Sequence, residues 1–323
     1  MHGKEGDRVF AETPIQKLTD YKENNIYVKR EDLLPFSFGG NKVRIGLEYI
    51  SDLKQKKYDC LIGYGNTKSN LCRVISNLCK QFNLPCYIIS PSNDDGSRDE
   101  TYNSLITQAC GAKIIPCNKE NVSETVYAVI ENCKRNGLNP YYINGDIYGK
   151  GNEAVPVEAY VKVYKEILNQ SLNMMVNFDY IFVATGTGMT QSGLIAGKQL
   201  YGGNSEIIGI SVARPAEKEN KVISQFLNAF YENNEIFKKQ NDIITILDEY
   251  ICGGYGKYND KIVQAIKNVM TKEGIPLDLT YTGKAFYGMM EHVKKNRIEN
   301  KNILFIHTGG TPLFFDHAEE IMC

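Results

Sequence analysis

From about residue 57 onward, short runs of apolar and β-branched residues alternate with longer segments of helical periodicity. The predicted strands are Cys60–Gly63, Cys86–Ser90, Lys113–Cys117, Tyr141–Asn144, Tyr180–Ala184, Ile207–Val212 and Ile303–His307. The predicted helices are Ser69–Gln81, Asp99–Cys110, Val122–Arg135, Glu153–Leu168, Met189–Leu200 and Glu217–Tyr231. Strands that are apolar on both faces and separated by helices form parallel sheets covered on both sides. The sequence therefore predicts an α/β fold with mostly parallel sheets.

Length and charge narrow the classes of protein to which the chain can belong. The 323 residues are too many for one small domain and suit two. The 37 basic and 38 acidic residues give a net charge of -1, so no overall positive field favours a nucleic-acid partner. No apolar run approaches the roughly 18 residues that a membrane helix needs, so we expect no membrane partner.

The cysteines indicate a reducing compartment. Nine of them are spread along the chain without a CxxC pair or a regular framework. This distribution is typical of buried thiols rather than of disulfides or metal ligands, so no metal site is predicted. The first ten residues lack an apolar core of signal-peptide length. We therefore expect a cytoplasmic protein.

In doubly covered parallel sheets, ligands bind at the turns that follow the carboxyl ends of the strands. Four such turns are rich in glycine and polar residues, and a fifth segment has a similar composition. They are Ser37–Lys42, Gly65–Asn70, Gly186–Thr190, His307–Thr311 and the fifth segment, Asp278–Lys284.

Lys42 follows a pair of glycines and precedes Val43, Leu47, Ile50 and Leu53, which recur at helical spacing. Lys42 is therefore predicted to lie in the first turn of an amphipathic helix. A cation is disfavoured at the positive end of a helix dipole, which helps to lower the pKa of an ammonium group. A lowered pKa is what a Schiff-base lysine requires. A solvated surface lysine is the alternative interpretation.

The segment Gly186–Thr190 lies between a predicted strand and a predicted helix. Backbone N–H groups at a helix N-terminus, with threonine hydroxyls beside them, suit a phosphate group. The segment lacks the P-loop pattern, and Gln191 stands where a dinucleotide fingerprint has its third glycine, so nucleotide cofactors are disfavoured. A simple turn is the alternative. In the turn before the next predicted helix, Ser69 is the predicted N-cap, and Ser69 and Asn70 are suited to a carboxylate or a ring oxygen.

Eight segments in order carry a resemblance to a known family: Thr13-Pro14, Val28–Leu33, Phe38–Lys42, Ser69-Asn70, Gly186–Thr190, Gly253–Gly256, Tyr281–Lys284 and His307–Gly310. Nearly from end to end, the chain resembles the pyridoxal-phosphate (PLP) enzymes of fold type II, the tryptophan-synthase β-like group. Within that group it is most similar to the branch of D-cysteine desulfhydrase and 1-aminocyclopropane-1-carboxylate (ACC) deaminase.

The resemblance implies a set of functional residues. Lys42 would form a Schiff base with PLP, Asn70 would bind its ring hydroxyl, and Thr308, ahead of Thr282, would face the pyridine nitrogen. The implied catalytic residues are Lys42, Ser69, Tyr255 and Tyr281. The implied cofactor-binding residues are Lys42, Asn70, Gly186, Thr187, Gly188, Met189, Thr190 and Thr308. The implied substrate-binding residues are Lys68, Ser69 and Asn70.

The resemblance also implies an organisation. A large PLP-binding domain would comprise residues 1–45 and 156–323, and a smaller mobile α/β domain would comprise residues 46–155. Each domain would have three α/β/α layers, with the cofactor in the cleft between them. The family commonly forms homodimers, so a homodimer is expected.

The implied reaction is α,β-elimination from a small β-substituted amino acid, which yields an α-keto acid and ammonia. Thr282 stands where ACC deaminases have a glutamate, which favours a D-cysteine-like substrate over ring opening of ACC. Lys68 and Leu71 replace polar residues of the family; Lys68 would pair with a second substrate carboxylate or point to solvent. The alternatives are an ACC deaminase, an amino-acid racemase, a β-replacement synthase, or a PLP-binding protein with altered or lost activity.

Overall fold

The structure, a computed structural model, describes residues 11–19, 21, 23–92, 100–236 and 241–322. The first ten residues, Asp99 and Cys323, used in the sequence-based expectations, lie outside these ranges. The strands are β1 (Ile15–Lys17), β2 (Asn25–Lys29), β3 (Cys60–Tyr64), β4 (Cys86–Pro91), β5 (Lys113–Cys117), β6 (Pro140–Tyr142), β7 (Tyr180–Thr185), β8 (Glu206–Ser211), β9 (Thr245–Leu247) and β10 (Asn302–Ile306). The α-helices are α1 (Asn41–Gln55), α2 (Asn70–Gln81), α3 (Tyr102–Ala109), α4 (Val122–Arg135), α5 (Ala154–Met174), α6 (Met189–Tyr201), α7 (Ala216–Asn233), α8 (Asp260–Glu273), α9 (Thr282–Lys295), α10 (Thr311–Phe315) and α11 (Ala318–Met322).

Six strands form the larger of two sheets, in the order β1-β2-β10-β7-β8-β9. Every neighbouring pair is parallel except β1 with β2. Strands β7, β8 and β10 are buried along almost their whole length, which explains why both of their faces are apolar. Because these strands are parallel, their carboxyl ends lie at one edge of the sheet, where ligands bind in such folds.

The second sheet has four parallel strands in the order β5-β4-β3-β6. One cluster of buried apolar side chains includes residues of both sheets and of the helices α1 and α5 between them. The α/β fold with mostly parallel sheets is therefore confirmed. In the part of the chain that the structure describes, no helix is both long and apolar enough to span a bilayer.

The seven predicted strands are present, with ends that differ from the prediction by at most two residues. Helix α5 extends past the predicted end at Leu168 to Met174 and is followed by Met175 in the left-handed conformation, with φ 53°. The sequence-based prediction omitted β1, β2 and β9, which are only three to five residues long. It also omitted α8, although Ile262, Ile266 and Val269 have helical spacing and are buried. The fifth polar segment, Asp278–Lys284, ends inside α9, which begins at Thr282.

Two glycines allow α6 to lie close against α5. A Cβ on Gly193 would lie 2.4 Å from the Cβ of Tyr160, and a Cβ on Gly197 would lie 2.5 Å from the Cβ of Tyr164. Since both distances are far below van der Waals contact, no larger residue fits either position without movement of the helices. This spacing of four residues positions α6, and with it the loop at its N-terminus.

Arg44 of α1 is partly buried and forms a network with three buried charged side chains, those of Lys29, Glu31 and Glu166. Arg44 Nε is 2.7 Å from Glu31 Oε2, and Arg44 Nη1 is 3.0 Å from Glu166 Oε2. Lys29 also pairs with Glu166, and Tyr160 donates a hydrogen bond to Glu31. Burial by itself raises the pKa of Glu31, but Arg44 and Lys29 outweigh it and hold the pKa of that carboxyl below its usual value. Glu31 is therefore ionised near neutral pH and depends on its cationic partners.

Replacing Arg44 with Met should destabilise the protein, because Glu31 and Glu166 would stay buried with Lys29 as the remaining cation of the network. We expect the free energy of unfolding, measured with urea near neutral pH, to fall by about 3–5 kcal/mol. The loss should shrink as the pH falls through the carboxyl range, because a protonated carboxyl no longer needs the guanidinium.

The matched control is Lys221→Met, which removes an exposed ion pair with Glu217. This change should alter the free energy of unfolding by less than about 0.5 kcal/mol. Equal losses in the two variants would show that the buried network contributes no more than a surface pair.

Candidate active site

The glycine turn (Ser37–Lys42) leads into α1 and is held against the end of β10. Gly40 is the N-cap of α1 with φ 102°, and the Asn41 N–H donates to the Thr308 carbonyl over 3.1 Å. A Cβ on Gly40 would lie 2.9 Å from the same carbonyl oxygen, so this approach requires glycine. The turn therefore places the start of α1 next to the loop that follows β10.

Lys42 is the second residue of α1 and is partly buried. Among the described residues, no hydrogen bond or ion pair of its ammonium group is found. Burial lowers the pKa of Lys42 to about 8. The lowered pKa expected from the sequence is thus present, with burial as its cause. About a tenth of this amine is then neutral at pH 7, far more than for an ordinary lysine, and a neutral amine is the nucleophile that forms a Schiff base.

The loop Gly186–Thr190 joins β7 to α6, as the sequence predicts. Gly188 is the N-cap of α6 with φ 78°, and a Cβ there would lie 2.9 Å from Ile223 Cγ1. The first N–H groups of α6 have no carbonyl partner within the helix and are available to an anion. Asn41 Nδ2 donates to Thr190 Oγ1 over 2.8 Å, so this loop is tied to the residue next to Lys42.

The remaining residues of that loop differ in what they can offer a ligand. Thr187 is exposed, whereas the Met189 side chain is buried. Met189 can therefore contribute only its backbone N–H. Gly186 lies beside the aromatic ring of Tyr281, since a Cβ at Gly186 would be 3.8 Å from Tyr281 Cε1.

Ser69 is the N-cap of α2 and Asn70 is its first residue, in the segment that follows β3 of the four-stranded sheet. Ser69 Oγ accepts a hydrogen bond from the Cys72 N–H over 3.2 Å, which confirms the predicted N-cap. Asn70 Oδ1 accepts from Asn103 Nδ2 over 3.0 Å and from Arg73 Nη2 over 3.4 Å. Because a guanidinium only donates, the atom that faces Arg73 is the amide oxygen. Asn70 Nδ2 is thereby left as a hydrogen-bond donor for a ligand.

Arg73 joins Asn70 to the glycine turn. The side chain is fully buried and donates to Ser37 Oγ over 3.1 Å and to the Gly39 carbonyl over 3.3 Å. Burial lowers the pKa of Arg73 to about 10. The guanidinium still carries its charge near neutral pH, so one cation sets the position of Asn70 relative to the turn that carries Lys42.

Tyr255 and Tyr281 meet in the same region. Their hydroxyl oxygens share a hydrogen bond of 2.7 Å, and their rings pack edge to face with centroids 5.7 Å apart. Burial raises the pKa of both hydroxyls, and for Tyr281 the neighbouring Tyr255 raises it further. Cys72 of α2 is close enough to act on the pKa of both tyrosines. The tyrosine pair is therefore neutral and lies near the start of α2.

The structure distinguishes between the two threonines considered for the pyridine nitrogen. Thr282 Oγ1 donates to Asp278 Oδ1 over 2.7 Å and accepts from the Asp278 N–H, so it is engaged locally. Thr308 follows β10 directly beside the glycine turn, and among the described residues no partner of its hydroxyl is found. Thr308 is therefore the better placed of the two.

Lys68 lies at the rim of the site, beside the loop that carries Tyr255. A Cβ on Gly256, next to Tyr255, would be 3.7 Å from Lys68 Nζ. Burial raises the pKa of Asp316, and the nearby Lys68 opposes that rise. Asp316 Oδ1 also accepts from the Tyr102 N–H over 2.9 Å, which links α3 to the segment after α10.

These groups fit the chemistry of pyridoxal phosphate. A partly neutral amine at Lys42 suits its aldehyde, the α6 N-terminus suits its phosphate, and Asn70 Nδ2 suits its ring oxygen. Burial lowers the pKa of Lys42, Gly188 begins α6 with a positive φ, and the hydrogen bond with Arg73 orients the amide of Asn70.

Comparison with known proteins agrees with this chemistry. The family described as pyridoxal-phosphate dependent enzyme matches residues 7–309, so the chain belongs to that family. A D-cysteine desulfhydrase of Yersinia pestis (strain Pestoides F) is 30% identical over 325 residues, 98% of this chain and 96% of the relative. A provisionally named 1-aminocyclopropane-1-carboxylate deaminase of Pyrococcus horikoshii is 33% identical over 318 residues, 96% of this chain and 93% of the relative.

A solved structure extends the likeness to the fold. The crystal structure of an ACC deaminase homologue matches with a TM-score of 0.82 and 28% identity, over 97% of this chain and 94% of the other. The protein is therefore a PLP-dependent enzyme of the ACC deaminase and D-cysteine desulfhydrase branch.

Sequence reasoning missed three residues that hold predicted site residues in place. Arg73, Asn103 and Asp278 each fix a predicted site residue through a buried hydrogen bond. Asn103 lies 33 residues from Asn70 in the sequence. No local pattern marks such a partner, because a lone asparagine in a helix has no signature.

Replacing Asn103 with Ala should weaken cofactor binding, because Asn70 Oδ1 would lose its shorter hydrogen bond and the amide would be free to turn. Loss of a buried hydrogen-bond partner costs about 1–3 kcal/mol, so we expect the Kd for PLP to rise about tenfold. Absorbance titration of the apoprotein with PLP measures this.

Asn77→Ala is the control, since Asn77 lies on the same side of α2 towards Cys110 and makes no described contact with Asn70. It should leave the Kd for PLP within about twofold of the wild-type value. The same Kd in both variants would show that Asn103 does not orient Asn70.

Proposed function

We propose that the protein is a deaminating lyase that catalyses PLP-dependent α,β-elimination from a small β-substituted amino acid of the D-cysteine type. The observation that carries the proposal is the pair of neutral tyrosine hydroxyls 2.7 Å apart, in the same site as an amine whose pKa is about 8. Elimination needs a base at Cα and a proton donor at the leaving group, and these groups supply both.

Lys42 is the proposed covalent anchor and base. When bound, the cofactor supplies a conjugated electron-withdrawing ring that stabilises negative charge at the substrate's Cα. Lys42 would hold the cofactor until the substrate amine takes its place, and the Lys42 amine would then accept the Cα proton. Because burial lowers the pKa of Lys42 to about 8, this amine is competent as a base near neutral pH.

The tyrosine pair is the proposed acid. A neutral phenol of Tyr255 or Tyr281 donates a proton to the departing β-substituent. The hydroxyl of the other tyrosine then stabilises the resulting phenolate through their hydrogen bond. For a β-thiol substrate the sulfur leaves as hydrogen sulfide. Cysteine and one water then yield pyruvate, hydrogen sulfide and ammonia, which balances all atoms.

The surroundings of Tyr281 favour elimination over ring opening of ACC. ACC deaminases have a glutamate directly after this tyrosine, whereas here the position is Thr282. The nearby Asp278 accepts hydrogen bonds from the Tyr281 and Thr282 N–H groups and from the Thr282 hydroxyl, so its carboxylate is engaged. We further assign Thr308 to the pyridine nitrogen, where an uncharged hydroxyl suits elimination better than transamination.

We also propose the domain division 1–45 with 156–323, and 46–155. Supporting it, the four-stranded sheet lies wholly within the second range and the six-stranded sheet wholly within the first. Ser69 and Asn70 lie on the smaller unit and Lys42 on the larger, so closure would bring the substrate-binding groups onto the cofactor. The homodimer and the cytoplasmic location remain predictions.

Borohydride reduction and a substrate screen test the proposed function. We expect a pyridoxyl group on Lys42 by peptide mapping, and none in Lys42→Ala, because the lysine amine forms the reducible bond. We expect keto acid and ammonia to be released from D-cysteine and other small β-substituted amino acids.

Each alternative predicts a different result in the same screen. A racemase inverts the amino acid without releasing keto acid, and a β-replacement synthase needs a second nucleophile. An ACC deaminase releases keto acid from ACC instead, and a silent binding protein shows no spectral change with any amino acid. Any of these four results would contradict the proposal.

Lys68→Gln should shift substrate preference, because Lys68 Nζ lies beside Gly256 at the rim of the site. Removing a cation weakens binding of substrates with a second carboxylate and favours neutral ones. We expect the ratio of kcat/KM values to shift about tenfold towards neutral substrates, the effect of one hydrogen bond to a charged group.

Lys80→Gln, at the exposed end of α2, serves as the control and should leave the ratio unchanged. An unchanged ratio in Lys68→Gln as well would show that Lys68 does not face the substrate.

A further inference from the structure

Lys284 is a buried cation surrounded by backbone carbonyl groups. It lies in the first turn of α9, three residues after Tyr281, and its side chain is fully buried. Its ammonium donates to the carbonyls of Val212 over 2.9 Å, of Ile251 over 2.8 Å and of Gly254 over 2.8 Å. An ammonium has three donors, so all of them are used.

The partners of Lys284 belong to two separate segments. Val212 directly follows β8, whereas Ile251 and Gly254 lie in the loop that carries Tyr255. Lys284 therefore ties this loop to the edge of the large sheet. Burial lowers the pKa of Lys284 to about 8, which is consistent with a cation held by neutral oxygen atoms.

The two glycines of this loop that precede Tyr255 have no side chain to hold it in place. Gly253 and Gly254 have φ of 89° and 137°, and a Cβ added at either would have no heavy atom within 4 Å. The carbonyl of Gly254 immediately precedes Tyr255. The hydrogen bond from Lys284 to that carbonyl therefore fixes the position of the Tyr255 backbone. Lys284 and Tyr281 are also one helical turn apart at the start of α9.

We propose that Lys284 is a positioning residue that acts as a tethered cation and holds the Tyr255 hydroxyl against that of Tyr281. Converging carbonyl oxygens also coordinate monovalent cations. When the side chain is removed, the three carbonyls form a site that K⁺ or NH4⁺ can take, which restores the loop. The catalytic consequence rests on the proposed function, whereas the tyrosine geometry and the cation effect do not.

The test compares Lys284→Ala, which opens the cavity, with Lys284→Met, which fills it without a charge. Each variant is measured in KCl, NH4Cl and choline chloride at equal concentrations of about 0.1 M, so that screening is the same. We expect kcat for keto-acid release by Lys284→Ala to fall about tenfold or more in choline chloride with little change in KM, since a proton donor is misplaced.

Cation identity supplies the decisive comparison. KCl or NH4Cl should restore kcat of Lys284→Ala at least about threefold and raise its Tm, by the mass-action effect of a ligand that binds the folded state. Lys284→Met and the wild type should not respond, and Lys294→Ala, at the exposed end of α9, should behave as the wild type. A crystal structure of Lys284→Met should show the two hydroxyls no longer in contact.

Defined results would overturn the proposal. These are wild-type kcat for Lys284→Ala in choline chloride, equal kcat and Tm in all three salts, or an intact Tyr255–Tyr281 hydrogen bond in Lys284→Met. Recovery of folded Lys284→Ala only with K⁺ or NH4⁺ would support it. If Lys284→Ala does not fold in any of the salts, Lys284→Gln takes its place. The glutamine amide can donate to two of the three carbonyls, so its kcat should lie between that of the wild type and zero. A wild-type kcat for Lys284→Gln would overturn the proposal.

Failure of the proposed function would look different. If the wild type releases no keto acid from any amino acid, elimination is wrong. The salt dependence of Tm and the Tyr255–Tyr281 distance then still decide the role of Lys284.

Discussion

Direct backbone contact between two glycine turns determines where Lys42, the proposed reactive lysine, lies. A Cβ on Gly309 would be 2.4 Å from the Cα of Gly40, so neither turn has room for a side chain. The start of α1 therefore cannot slide along the end of β10, and Lys42 follows two residues later. Two residues after Lys42, the ion pairs of Arg44 with Glu31 and Glu166 also fix the position of α1. The rest of the site is arranged around this contact.

The groups that face the site are held by buried polar groups behind them. Asn103 and Arg73 orient Asn70, and Lys284 holds the loop of Tyr255. A buried donor or acceptor that loses its partner pays a full desolvation penalty, so these contacts resist rearrangement. Close packing positions the helices and turns, and these polar contacts position the side chains that they carry.

Burial lowers the pKa of the proposed base and raises the pKa of the proposed acids. It lowers the pKa of Lys42 and raises the pKa of Tyr255 and Tyr281, so neutral forms of all three are accessible near neutral pH. With a pKa of about 8, Lys42 can both accept and release a proton near neutral pH. This suits an enzyme whose cofactor carries the electrons and whose side chains handle the protons.

Features that depend on neighbours within a few residues could be read from the sequence. The apolar runs predicted the seven strands, Ser69 was recognisable as an N-cap, and the spacing after Lys42 placed it at the start of a helix. Only the tertiary structure decided which distant residues support the site, such as Asn103 and Lys284. Their partners lie on other segments, many of them backbone carbonyls, and a carbonyl is the same in every residue. The sequence by itself therefore determined the α/β layers and offered the candidate site residues, and long-range packing decided how those side chains are held.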